Sequence, residues 1–185
     1  MNTIPTFSRQ LSARLGGGWP MRAVTSLIAK ADEDAVRATL EAISVALLHG
    51  ATVALIDVPA PNPPDRHHPP PSLSESFVLD ALGAGSMALS FTFLAPKVPA
   101  ETLSLISEHA NFKTLVVVRG FERLTGVRGA DLRHTLKIVG RASAASLFVM
   151  TPLEDGAKRI ERLVRSMSSN SVELTNDVMP WSSDG

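Results

Sequence analysis

The chain has 185 residues, of which 44% are hydrophobic and 19% are charged, and its 18 basic side chains balance its 18 acidic ones. This length and composition predict one globular domain that buries about 70% of its unfolded surface. The zero net charge excludes a global attraction to nucleic acid or to an anionic membrane. The absence of cysteine excludes disulfides and thiol chemistry and fits a reducing compartment. We therefore expect a cytoplasmic protein without a signal peptide or a membrane-spanning segment.

Strand and helix patterns alternate along the chain, which predicts an α/β fold with a mostly parallel sheet. The first predicted strand is 23–28, and Asp32 is expected to cap a helix that Gly50 ends. Residues 52–57 predict a second strand, with the continuous aliphatic character of a buried parallel strand. Seven of the thirteen prolines follow in 59–71, so the segment 59–73 is expected to be an extended surface loop.

The second half of the chain continues the same alternation. Ser72 and Glu75 have the spacing of a capping box at the start of a short helix. The predicted helices are 72–82, 99–111, 131–141 and 157–166. The predicted strands are 87–94, 114–118, 146–150 and 172–175, the last at a sheet edge. Residues 179–185 are expected to be a flexible tail, which leaves 1–178 as a single domain.

A glycine turn, Gly17-Gly18-Trp19-Pro20-Met21, precedes the first strand. The order of glycine turn, strand, loop, helix and strand resembles the nucleotide-binding core of the RecA family. Residues 17–57 align without a gap with the bacterial recombinase pattern GGLPMG…GPESSGKT…FID. The resemblance implies a RecA-like, mostly parallel sheet flanked by helices. It also places the phosphate-binding loop on residues 29–36.

The residues that bind and hydrolyse ATP in this family are replaced. A phosphate-binding loop needs converging glycine amides, a lysine and a helix N-terminus, but this chain carries three consecutive acids there. The resemblance puts Ala35 at the lysine, Arg119 at the metal-organising acid after strand 115–118, and Pro59 at the water-activating acid. We therefore expect a degenerate nucleotide site with no catalytic residues and no cofactor. Its residues are Lys30, Asp32, Glu33, Asp34, Ala35, Val36, Asp57 and Arg119.

The segment from Leu15 to Pro20 resembles ImuA, a RecA-related accessory protein of mutagenic DNA repair, and more distantly the cell-division inhibitor SulA. The resemblance implies a non-enzymatic scaffold in the DNA-damage (SOS) response that acts through protein–protein contacts. RecA or an error-prone polymerase would be the partner.

Basic residues near the predicted strand ends are candidates for contact with a partner or with DNA, because arginine there can bind phosphate backbone. They are Arg119, Arg123, Arg128, Arg133, Lys158 and Arg159. The same side chains can instead pair with nearby acids, and the chain has no tyrosine for base stacking. Direct DNA binding therefore stays open.

A second function also stays open. Degenerate RecA-like domains resemble part of BcsE, a regulator of cellulose secretion, which would make this chain a regulatory subunit of such an assembly. Arg128 and Asp131 match the RxxD pattern of cyclic-di-GMP sites, although a turn with a helix cap at Asp131 explains them equally. The adjacent His67 and His68 lack the spacing of a metal site, so no metal is expected.

Overall fold

A central parallel sheet organises the chain. The computed structural model describes residues 3–6, 8–59, 73–83, 90–151 and 155–175. The strands are β1 (Thr3–Ile4), β2 (Trp19–Pro20), β3 (Val24–Ile28), β4 (Thr52–Asp57), β5 (Phe91–Leu94), β6 (Thr114–Arg119), β7 (Ala145–Met150) and β8 (Asn170–Glu173). The helices are α1 (Arg9–Arg14), α2 (Asp32–Leu48), α3 (Glu75–Leu82), α4 (Pro99–His109), α5 (Gly129–Ala142) and α6 (Asp155–Met167).

Six strands form the main sheet in the order β5-β4-β6-β7-β3-β8, and every neighbouring pair is parallel. This arrangement confirms the predicted α/β class and places β8 at an edge, as expected. The chain is a single α/β domain whose sheet is flanked by helices. Within the described ranges, no helix combines the length and the apolar character that a membrane crossing needs.

The sheet is buried on both faces because its central strands are apolar along their whole length. All residues of β3, β6 and β7 are buried, as parallel sheets covered by helices require. One face carries α1, α2 and α3, which bury Leu11, Ile43 and Val78 in a first core. The other carries α4, α5 and α6, which bury Ile106 and Leu136 in a second core.

The N-terminal segment contains structure that the sequence patterns did not predict. Strand β1 pairs antiparallel with β2, matching Ile4 with Trp19, and α1 lies between them. Gly18 has φ +154°, and a Cβ atom there would overlap the carbonyl oxygen of Ile4. Glycine is therefore required for the close approach that closes this hairpin. Two-residue strands and a six-residue helix are too short to show a hydrophobic period.

Three predicted helix starts shift by a few residues. The residue before α2 is Ala31, and Asp32 is the first helical residue instead of the cap. Helix α5 starts after Arg128, which leaves Asp131 inside its first turn. Ser74 caps α3 by accepting a hydrogen bond from the Phe77 amide. Residues 60–72 of the proline-rich segment, 87–89 of the predicted third strand and the tail 179–185 lie outside the described residues.

Candidate functional site

The strand order defines two crevice positions at the carboxyl ends of the central strands, of the kind that bind ligands in α/β sheets. Strand β4 leads to α3 on one face of the sheet, whereas its neighbour β6 leads to α5 on the other. Strands β3 and β7 are also neighbours, and they lead to helices on opposite faces of the sheet, α2 and α6. Ligands in open α/β sheets bind where adjacent strands send the chain to opposite faces. The candidate site is therefore the edge where β3, β4, β6 and β7 end.

Asp57 and Arg119 fill the first crevice with an ion pair. They are register partners at the ends of β4 and β6. The Arg119 Nε donates to Asp57 Oδ1 at 2.7 Å, and a second guanidinium nitrogen donates to Asp57 Oδ2 at 2.9 Å. The Leu73 amide also donates to Asp57 Oδ2 at 3.0 Å. The Arg119 side chain is 1% exposed and the Asp57 side chain is 4% exposed, so the two charges neutralise each other inside the protein.

Arg123 joins the second crevice to the first. It belongs to a short 3-10 turn, Phe121–Arg123, that follows Gly120. One guanidinium nitrogen donates to the Val58 carbonyl at 2.7 Å, and another reaches Asp32 Oδ1 at 3.3 Å. The side chain is 11% exposed. Arg123 thus links the end of β4 to the first turn of α2, and its positive charge is paired with the Asp32 carboxylate inside the protein.

Glu122 is a buried acid beside this arginine. Its Oε1 accepts a hydrogen bond from the Thr151 amide at 3.1 Å and lies 3.9 Å from Arg123 Nε, while its Oε2 makes no hydrogen bond to any residue that the structure describes. The edge-to-face contact between Phe121 and Phe148, 5.0 Å between ring centres, fixes the turn against β7. Burial raises the pKa of the Glu122 carboxyl, and the charge of Arg123 offsets only part of that rise.

The segment aligned with a phosphate-binding loop is short and acidic. Only residues 29–31 connect β3 to α2, and the Ala29 amide donates to the Met150 carbonyl. Asp32, Glu33 and Asp34 form the first turn of α2. Ala35 is buried in the core beneath that turn, Val36 packs against the same core, and Lys30 is exposed. Three carboxylates at a helix N-terminus satisfy its dipole from within the chain.

The remaining predicted contact residues lie elsewhere on the molecule. Arg128 is exposed and bonds Asp131 at 2.9 Å, which raises the pKa of its guanidinium. Arg133 is exposed on α5, and Lys158 and Arg159 are exposed on α6. Arg119 is instead buried and Arg123 is half-buried, each in an internal ion pair. The expectation that Arg119 contacts a partner or DNA is therefore wrong for the folded chain, and Arg123 exposes only 11% of its side chain.

The charged side chains at this edge bond mainly to other groups of the protein. Among the residues that the structure describes, no group of three acidic or histidine side chains could hold a metal ion. Sequence reasoning treated Glu122 only as one of the acids that could pair with nearby arginines, and it missed the burial of Glu122 and the polar partners Val58, Leu73 and Thr151. An acid three residues beyond a buried strand was the available signal for Glu122. The backbone partners left no signal, because any residue type supplies an amide and a carbonyl.

The comparisons with known proteins support the fold. No protein-family model matches the chain, and no curated protein matches it significantly. Among solved structures, it is similar to the flagellar accessory protein FlaH from Methanocaldococcus jannaschii, with a TM-score of 0.63. The superposition covers 94% of this chain and 80% of that chain at 12% sequence identity. The similarity, with the parallel six-stranded sheet, confirms the expected RecA-like fold.

Proposed function

We propose that this chain is a non-catalytic RecA-like protein that serves as a scaffold for other proteins in mutagenic DNA repair. The main support for the proposal is that charged side chains at the carboxyl edge of the sheet form ion pairs with one another. Arg119 pairs with Asp57, and Arg123 pairs with Asp32. Two cations that could stabilise a phosphate are thereby neutralised by the chain's own carboxylates.

The connection between β3 and α2 supports the loss of nucleotide binding. Phosphate binds at a helix N-terminus when free amides and a positive field point at it. Here the first turn of α2 carries Asp32, Glu33 and Asp34, and only three residues separate the helix from β3. A triphosphate placed there would meet three carboxylates, which oppose its charge.

The assignment to DNA repair rests on the resemblance of residues 15–20 to ImuA. In the structure the three glycines of this segment have φ angles of +70°, +115° and +154°, and Trp19 is 1% exposed. The segment is thus a tight turn that anchors an indole ring in the core. The residues that carry the resemblance therefore form a turn that shapes the fold.

Calorimetric titration of the purified full chain with Mg·ATP tests the nucleotide part of the proposal. We expect no saturable binding into the millimolar range and no phosphate release. The triple variant Asp32→Asn, Glu33→Gln, Asp34→Asn is the informative partner, because it removes the repulsion while keeping the helix. Micromolar binding by the unmodified chain would overturn the proposal. Binding by the triple variant alone would identify the acidic turn as the element that excludes nucleotide.

Affinity purification from the native host, with and without DNA damage, tests the scaffold part. Damage-dependent recovery of RecA or of an error-prone polymerase, followed by direct binding between purified proteins, would support the proposal. Damage-independent recovery of an envelope assembly would contradict it.

One observation supports the alternative, a regulatory subunit that senses cyclic-di-GMP. The guanidinium of Arg128 is 84% exposed and the carboxylate of Asp131 is 41% exposed, so both are accessible at the start of α5. In the structure, however, the two side chains bond to each other. Titration with cyclic-di-GMP distinguishes the two functions. Saturable binding that Arg128→Ala abolishes would favour the cyclic-di-GMP sensor, whereas a lack of binding would favour the scaffold.

A further inference from the structure

The outer faces of α5 and α6 carry parallel rows of basic side chains. These helices pack on the same side of the sheet and contact each other. The exposed basic residues of α5 are Arg133, His134, Lys137 and Arg141, and those of α6 are Lys158, Arg159 and Arg162. In each row they recur at intervals of one, three or four residues, which keeps them on the side of the helix away from the core. We call this surface the basic face.

Five arginine and lysine side chains of the basic face form no ion pair with a described residue. The ion pairs of these helices involve Asp131 with Arg128, and Glu161 and Glu173 with Arg165. In the described part of the chain no ion pair reaches Arg133, Lys137, Arg141, Arg159 or Arg162. Exposed acids also occur on other helices, among them Glu33, Glu75, Asp80, Glu101 and Glu108. A chain of zero net charge can therefore still present a locally basic surface on α5 and α6.

The side chains of the basic face indicate which kind of partner it can bind. The large hydrophobic side chains exposed in the described structure are Met21, Leu48, Phe77, Val98 and Phe112, none of them on α5 or α6. A surface without apolar anchors lacks what interfacial membrane helices insert. Without aromatic rings it lacks the stacking platform that single strands use. It also lacks the apolar centre of most protein interfaces, whereas protein–DNA interfaces are polar and strongly positive.

The basic face has the size scale of a duplex groove. The row from Arg133 to Arg141 is about 12 Å long at a rise of about 1.5 Å per residue. The axes of packed helices lie about 8–10 Å apart. The grooves of B-form DNA are about 6 and 12 Å wide, so the cations of two packed helices span distances of the same order as those between phosphates across a groove.

We propose that the basic face of α5 and α6 binds the phosphate backbone of double-stranded nucleic acid without reading its sequence. The contacts are Lys and Arg to phosphate, which position a protein on a duplex and carry no sequence information. The proposal does not depend on the scaffold function, because it rests only on the charge and geometry of the two helices.

Two variants of equal net charge test the proposal. The face variant replaces Arg133, Lys137, Arg141, Arg159 and Arg162 by Gln. The control variant replaces five exposed cations elsewhere by Gln, namely Arg9, Arg14, Arg22, Lys97 and Lys113. Each set lowers the formal net charge from zero to −5. Gln has nearly the helix propensity of Lys and Arg, so α5 and α6 are preserved, and circular dichroism confirms the fold of both.

Fluorescence anisotropy of a labelled mixed-sequence DNA duplex measures binding at several salt concentrations. We expect the full chain to bind two unrelated sequences equally, the control variant to bind within a few-fold of it, and the face variant to bind at least tenfold more weakly. The slope of log K against log salt should fall by up to about 4.5 in the face variant, since each phosphate contact contributes about 0.9.

Three results would overturn the proposal. The full chain could fail to bind the duplex at low salt, or both variants could lose affinity equally. The chain could also sediment with vesicles of phosphatidylserine and phosphatidylcholine through the basic face while ignoring the duplex. Equal failure of both variants would mean that only net charge had acted.

Discussion

Asp57 and Arg119 are register partners at the ends of two neighbouring parallel strands, and their side chains meet in hydrogen bonds of 2.7 and 2.9 Å. They are 62 residues apart in sequence. Both side chains are almost fully buried, at the crevice where α/β sheets usually bind ligands. Burying such a pair adds little net stability, because desolvation opposes the attraction, but removing one partner leaves an uncompensated charge.

Arg119→Met should therefore destabilise the protein by about 3–5 kcal/mol, since Asp57 would remain buried without its guanidinium. Urea unfolding followed by circular dichroism measures the loss. The double variant Asp57→Asn, Arg119→Met should recover most of it, because the introduced asparagine is neutral and its side-chain oxygen can still accept the Leu73 amide. A single variant within 1 kcal/mol of the parent would show that the pair is solvated.

Arg123→Met should cost about 1.5–3 kcal/mol, in the range of lost hydrogen bonds to a charged group. The substitution leaves the Val58 carbonyl and the Asp32 carboxylate without their shared donor. Arg133→Met is the matched control, since Arg133 is exposed and should change stability by no more than about 0.5 kcal/mol. Equal effects of the two substitutions would refute an internal role for Arg123.

Glu122→Gln should stabilise the protein increasingly as the pH rises. Burial raises the folded pKa of Glu122 above its ordinary value of 4.5, so the folded state holds the proton more tightly than the unfolded chain. The stability that the Glu122 carboxyl contributes is fully present when the pH is below its ordinary pKa of 4.5. That stability is lost as the pH rises through the pKa of the folded state. Glutamine stays neutral and can still accept the Thr151 amide, so the gain over the parent should vanish near pH 4.

Unfolding free energies measured across the pH range test the Glu122 prediction. Glu108→Gln is the control for the loss of one exposed carboxylate, because Glu108 is exposed on α4. A Glu122→Gln profile that runs parallel to that of the parent would mean that the Glu122 carboxyl titrates alike in the folded and unfolded states.

Gly120→Ala should destabilise the protein by about 1–3 kcal/mol and displace Arg123. Gly120 has φ +77°, and a Cβ atom there would lie 2.9 Å from an Arg123 guanidinium nitrogen. Left-handed backbone costs a residue with a Cβ about 1–2 kcal/mol before any steric clash. Gly126→Ala is the control, since nothing lies within 4 Å of its added methyl group. If the two alanine variants unfold at the same urea concentration, Gly120 does not constrain the turn.

The sequence determined the strands of the main sheet and its flanking helices α2 to α6 to within a few residues, but it did not predict β1, α1 and β2. The aliphatic runs that end at Ile28, Asp57 and Met150 are buried strands, and the helical spacing of apolar residues in α5 marks the face that packs on the sheet. These predictions succeeded because burial imposes a local period, which the order of apolar and polar residues reveals. The resemblance of residues 17–57 to the RecA family implied the RecA-like fold, and the positive φ angles of the glycine turn show why few other residues fit there.

Only the tertiary structure decided which charges meet. Arg119 was expected to contact a partner, yet it is 1% exposed and bound to Asp57. Arg123 reaches Asp32 across 91 residues of sequence, and the Thr151 amide that binds Glu122 is 29 residues away from it. Such contacts depend on strand order and register, which bring distant residues together and leave no periodic trace in the chain. Local periodicity thus specified strands and helices, whereas long-range packing specified the site that they form.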